Sequence, residues 1–357
     1  MRTFFTTEQE LINILESSGD NVWKEIVKKQ HYVFVSLPFG RKEWDESNPL
    51  LNAFHRSGRK IYAYPDFFER IKNNRSDITK LSSPICLLDI SKEDAEQIRR
   101  DYGVCCYDIE SKMKPFVAKR GWDIETSDEE KPKSWNYFYD GIIPFCNSIL
   151  IIDRYLFASD YNKKNGEPDE IIQDSYDNLE QIMKNVLPKE SKCSNFVLTI
   201  VFSCSSNKGG IGEYDPSWTE IIEEIQNIKI RIGRPFEYDI EVISVDKGCA
   251  YYNDTHDRFV ITNYSITEAT HKLKAYRYGG LSLCKQKLFF DYSYSKGIDE
   301  EDKSSIPAAT QERVLNALKN YINDKKNKAK IRYALNGEEF SLSERNVRNK
   351  MLLSNNL

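Results

Sequence analysis

Apolar residues along this chain fall into short solid runs, with stretches of helical repeat between them. Leu11, Ile12, Ile14 and Leu15 mark one face of a helix predicted over 7–17. Thr6 or Thr7 caps it, and Glu8 and Glu10 lie in its first turn. A second helix is predicted over 20–29. Tyr32–Leu37 is a solid β-favouring run stopped by Pro38 and Gly40, which predicts a buried strand. A helix over 48–56 ends at Ser57-Gly58. Strands follow over 61–64 and 85–90, with helical segments over 66–72 and 92–102. Strand and helix alternate, so residues 1–110 read as a small α/β domain.

The pattern breaks at 111–140. Ser127–Ser134 is charged, holds Pro132 and has no period, so it reads as a charged linker or loop. Ser148–Phe157 then opens a second domain with a run apolar enough for a strand buried on both faces. A helix over 170–186, a strand over 195–203, a helix over 218–230 and strands over 240–245 and 256–263 complete its core. A further strand or hairpin is predicted over 281–295, so this domain spans 141–295. Residues 296–357 hold an amphipathic helix over 311–329 and a basic tail. That tail has eight Lys or Arg against four Asp or Glu over 324–357. It reads as an interaction arm or, with more weight, as a helix end followed by a hairpin or short helix.

Composition narrows the function classes. The 357 residues suffice for two cores, with 40% hydrophobic and 30% charged residues, as in ordinary globular domains. A net charge of −4 does not mark a general nucleic-acid binder, but it leaves room for a local basic site. The first residues do not resemble a secretory signal, and no run nears the ~18 apolar residues of a membrane span. The expectation is a cytoplasmic protein without a membrane span. Eight cysteines are scattered with no C-x-x-C, and there are only four histidines, so no metal or cofactor is predicted. The cysteines read as reduced, buried small hydrophobes.

The chemistry concentrates in His256-Asp257-Arg258-Phe259-Val260-Ile261-Thr262-Asn263. On a strand, His256 and Arg258 share one face. Asn263 is odd-spaced from His256, so a bulge or the strand end must bring it round. Imidazole, guanidinium and amide together suit a phosphate. This H-x-R-x-x-x-x-N spacing resembles the H-x-K-x-x-x-x-D signature of the phospholipase D superfamily, with Arg258 for Lys and Asn263 for Asp. Its wording is closest to the phospholipase-D-like domain that follows MIT domains, which is regarded as a binding module. The resemblance covers about 141–295 and implies a mixed sheet flanked by helices. It assigns His256 as nucleophile, with Arg258 and Asn263 holding the phosphate oxygens. Asn263 lacks the carboxylate that orients an imidazole in the family. The motif occurs once, so a two-histidine site requires a homodimer. Such a site uses no metal.

Other residues extend this reading. Asp153, Arg154 and Tyr155 end a central strand, a common place for site residues. Arg154, Lys272 and Lys274 are candidate phosphate contacts beside Arg258. His271–Tyr278 mixes basic and aromatic side chains, as nucleic-acid surfaces do. Lys208–Gly212 is glycine-rich but lacks the G-K-[ST] ending of a P-loop, so it reads as a turn. Residues 1–110 carry no chemical motif: neither His31 nor His55 starts an H-x-K or H-x-R. Two functions stand side by side. One is a phosphate-recognising module for nucleic acid or a protein partner, favoured by the two altered motif positions. The other is a dimeric phosphodiesterase or nuclease, favoured by the surviving trio. In a bacterial host such a nuclease fits defence against foreign DNA.

Overall fold

The computed structural model describes residues 3–18, 21–30, 32–37, 41–64, 71, 74–81, 83–110, 119–123, 135–139, 145–157, 168–203, 216–245, 258–270, 273–275, 287–293 and 307–353. These build an α/β protein with two sheets.

The first sheet is parallel throughout. It holds β1 (Thr3–Thr7), β2 (Tyr32–Ser36), β3 (Lys60–Ala63), β4 (Pro84–Leu88) and β5 (Cys105–Asp108), in the order β3-β2-β1-β4-β5. The helices between them are α1 (Glu8–Glu16), α2 (Val22–Lys28), α3 (Pro49–Arg56) and α4 (Lys92–Tyr102). Strand alternation sends Phe4, Val33 and Ile85 to one face, against Leu11, Trp23 and Leu51. Phe5, Cys86 and Cys106 take the other face, against Ile78, Ala95 and Ile98. Thr7 caps α1 as its sequence predicts, its hydroxyl accepting from the Glu10 N–H at 3.1 Å. The central strand β1 and the edge strand β5 are absent from the pattern reading. Thr3-Phe4-Phe5-Thr6-Thr7 has only two apolar residues, yet β-favouring threonines let it sit buried between two strands. Of the predicted helix over 66–72, only Ile71 lies within the described residues.

The second sheet is mixed. Its elements in chain order are β6 (Lys119–Asp123), α5 (Trp135–Tyr139), β7 (Ser148–Ile152), α6 (Pro168–Val186), β8 (Val197–Phe202), α7 (Trp218–Ile232), β9 (Asp239–Ser244), β10 (Arg258–Thr262), β11 (Ser265–Ala269), β12 (Lys287–Tyr292), α8 (Pro307–Asn323), α9 (Lys325–Lys328), β13 (Arg332–Leu335) and β14 (Glu338–Phe340). The order across the sheet is β14-β13-β9-β8-β7-β10-β11-β12-β6, with β7, β8 and β9 parallel and the other pairings antiparallel. Helices α5, α6 and α7 cover one face and α8 the other, so two cores flank the sheet. The predicted strands over 148–157, 195–203 and 240–245 occur, and that over 256–263 occurs as β10 from Arg258 onward, residues 256 and 257 lying outside the described residues. The first is shorter than predicted, because the chain turns at Asp153.

One boundary needs correction. Residues 111–140 are not only linker: β6 pairs with β12 at the sheet edge, and Trp135 of α5 is buried, its indole N–H donating to Asn178 Oδ1 at 2.7 Å. The tail follows the favoured reading, a helix end with a short helix and a hairpin after it, α8 leading to α9 and then to β13 and β14. β13 pairs with β9, and the following segment packs Leu342, Val347, Met351 and Leu352 into the core under α8.

The two sheets are joined by polar contacts. Tyr264 donates to the Pro84 carbonyl at 2.6 Å, Lys192 pairs with Asp101 at 2.7 Å, and Lys350 donates to the Thr79 carbonyl. Gly103 ends α4 at φ +61°, and a Cβ there would lie 1.9 Å from the Cys146 carbonyl oxygen, so only glycine allows this approach.

Candidate functional site

Asp153 ends β7 and organises what lies beyond it. Its Oδ1 accepts the Tyr155 N–H at 2.8 Å, a side chain standing in for a backbone turn. That bond bends the chain out of the sheet and explains the short strand. Its Oδ2 accepts the Leu273 N–H at 2.7 Å and so ties down the segment after β11. The carboxyl is fully buried. Burial pushes its pKa up, and Arg258, the two N–H donors and Lys274 oppose that rise.

Arg258 begins β10, antiparallel to β7, with Phe259 opposite Ile152. This register sets its guanidinium beside Asp153, with Nε 3.6 Å from Oδ1. A buried acid demands such a partner, since an isolated one costs several kcal/mol. The Tyr155 ring lies between two arginines, its centroid 5.6 Å from Arg258 and 5.3 Å from Arg154. Lys274 is buried directly after the Leu273 that bonds Asp153, its charge felt by the acid. One carboxylate thus has two cations acting on it, Arg258 and Lys274, with Arg154 near the neighbouring Tyr155 ring. This balance suits an anion, and the planar guanidinium of Arg258 is held by a partner rather than free to wander.

Arg154, Arg258 and Lys274, the described candidates for phosphate contact, lie around the carboxyl end of β7. The sequence reading treated Asp153 as a minor feature, although a strand-final Asp-Arg-Tyr is the signal for the anchor found here. His256 and Lys272 lie outside the described residues, as do the Lys208–Gly212 loop and Tyr276–Tyr278. Asn263 is a correction. Five residues of strand separate it from Arg258, roughly 17 Å at the usual rise. It sits at the opposite end of β10, where its Oδ1 accepts the N–H groups of Asn147 and Ser148, both at 2.9 Å. No bulge brings it round. It holds the start of β7, away from Arg258.

Among the described residues no group of three His, Cys, Asp or Glu is placed to hold a metal. The described cysteines, Cys86, Cys105, Cys106, Cys146 and Cys193, are buried and free. Burial pushes the Cys106 thiol up to about 12, which keeps it a thiol. No described helix is long and apolar enough to cross a membrane. Compared with known proteins, the chain matches no family model and no curated relative.

Proposed function

We propose that this is a phospholipase-D-like protein that recognises phosphate groups of nucleic acid and binds them with little or no turnover. The observation that supports it is Arg258, oriented by the buried Asp153 at the carboxyl end of a central strand, with Arg154 and Lys274 at the same locus. The element order of the second sheet agrees with the resemblance in H-x-R-x-x-x-x-N. A guanidinium grips phosphate but gives up no proton near neutral pH, so the site is better equipped to hold than to cleave. With this reading go a cytoplasmic location and a homodimer that doubles the contact with a long anionic ligand.

The test is a binding titration of single- and double-stranded oligonucleotides at several salt concentrations. Arg258→Ala removes a charge-assisted bond worth roughly 1.5–3 kcal/mol, and affinity should fall about ten- to a hundredfold. Equal affinity for wild type and variant would remove Arg258 from the site. The same mixtures, incubated with EDTA, should show intact oligonucleotide. Metal-independent cleavage that disappears in His256→Ala would turn the assignment to a phosphodiesterase.

A further inference from the structure

The first sheet carries a second site, unrelated to the motif strand. Its chain runs outward from β1 to β2 to β3, then returns to β4 on the other side of β1. The order reverses between β1 and β4, and a crevice opens at their carboxyl ends, where open α/β sheets bind ligands. A cleft of ≈ 700 Å³ occupies that position, in the range of small-molecule pockets. Thr7, Ser36 and Leu88, the last residues of β1, β2 and β4, line it.

Two guanidiniums face the cleft, each braced by acids. Arg41 donates to Glu8 through Nη1 at 2.7 Å and Nη2 at 3.3 Å, and Glu8 also accepts the Asp45 N–H at 2.6 Å. Arg75 donates to Asp94, and its Nη1 to Gln97 at 2.6 Å. Both keep N–H groups beyond these bonds, since a guanidinium has five. The lining also holds Asp89, exposed just beyond β4. Among the described lining residues, Glu8, Asp89 and Asp94 outnumber Arg41 and Arg75, so these side chains bring no surplus positive charge for a polyphosphate. β1 passes straight from Thr7 into Glu8 of α1, with no glycine loop between them. Leu37, Ile71 and Ile98 give the lining a buried apolar part.

We propose that this cleft binds a nucleoside monophosphate. The apolar part takes the planar base, Asp89 accepts from the ribose hydroxyls, and Arg41 and Arg75 share one phosphate. A triphosphate is disfavoured by the acids and by the direct passage of β1 into α1.

Calorimetry on the full chain tests this with AMP, GMP, CMP, UMP, their nucleosides, the matching 2′-deoxy monophosphates and ATP. At least one monophosphate should saturate one site per chain and bind more tightly than ATP. Arg75→Gln should weaken the monophosphate tenfold or more and its nucleoside less than twofold. Asp89 is exposed, so Asp89→Asn should fold normally and lose the preference for ribose over deoxyribose. Arg258→Ala should leave this binding unchanged, which separates it from the site on the second sheet. No saturation by any monophosphate at millimolar concentration would overturn the proposal. So would tighter binding of ATP, or a ribose preference that survives Asp89→Asn.

Discussion

Asp153 and Glu241, two carboxylates of the second sheet, are wholly buried, and they are buried for different reasons. Asp153 ends β7 and Glu241 sits inside β9, both with 0% of their surface exposed. Glu241 is surrounded by donors from four places: the Thr199 hydroxyl at 2.9 Å, the Tyr333 hydroxyl at 2.7 Å, the Asn349 N–H at 3.0 Å and the Arg348 N–H. Those donors come from β8, β13 and the tail, so this acid fastens three segments together. Asp153 has two N–H donors and a guanidinium, with further cations beyond. Burial alone therefore does not mark a functional acid. What separates the two is the residue across from the carboxylate. Neutral donors close a site, whereas a partly exposed arginine leaves it open to an anion.

The largest effect should come from Glu241. Glu241→Ala strands four donors, and at about 1 kcal/mol or more each the loss is on the order of 4 kcal/mol, read by urea unfolding. Oligonucleotide affinity of the folded variant should not change. Burial pushes the Glu241 carboxyl above its ordinary 4.5, against the pull of its donors. The folded state then holds the proton to higher pH than the unfolded chain, so this group's contribution declines as pH rises from 4.5 through the folded pKa. The stability difference between wild type and Glu241→Gln should shrink over that interval and then level off. A difference that grows with pH would mean the donors outweigh burial.

Asp153→Ala should cost less stability, about 3 kcal/mol by the loss of a buried partner, but it should also damage binding. Arg258 loses the group that orients it, and the Tyr155 turn and the Leu273 tether go with it. Oligonucleotide affinity should drop tenfold or more, measured where circular dichroism shows the variant folded. If binding stays at the wild-type level, Asp153 belongs with Glu241 as a purely structural acid, and the contrast between them fails.

Sequence pattern carried the second sheet well, because Ser148–Ile152 and Val197–Phe202 are solid or nearly solid β-favouring runs and Asp239–Ser244 alternates around Ile240 and Val242. It missed β1, since threonine reads equally well as a strand residue or a helix cap, and Thr7 is in fact both the strand end and the cap of α1. Glu241 was invisible for another reason. It alternates with Ile240 and Val242, so period alone gives it to solvent, and only the returning tail buries it. The pair Asp153 and Arg258 was half legible. Each ends or begins a predicted strand, but their contact depends on β10 pairing with β7, which no local pattern contains. The crevice on the first sheet was hidden with β1, because without that strand the order reversal cannot be seen.

The smallest effect falls on Asn263, and it decides whether the motif residues act as one unit. In the spacing H-x-R-x-x-x-x-N the asparagine reads as a phosphate ligand. In the fold its Oδ1 takes two backbone N–H groups at the start of β7, at the far end of β10 from Arg258. Asn263→Ala should cost about 1–2 kcal/mol, the usual penalty for buried donors left unmet, and should leave oligonucleotide affinity within twofold of wild type. Asn263→Asp keeps an oxygen acceptor for both N–H groups, so it should recover much of that stability. The pair Arg258→Ala and Asn263→Ala should therefore split cleanly, one losing ligand and the other losing stability. A tenfold loss of affinity in folded Asn263→Ala would join the two ends of β10 into one functional unit and reverse the correction made on geometry.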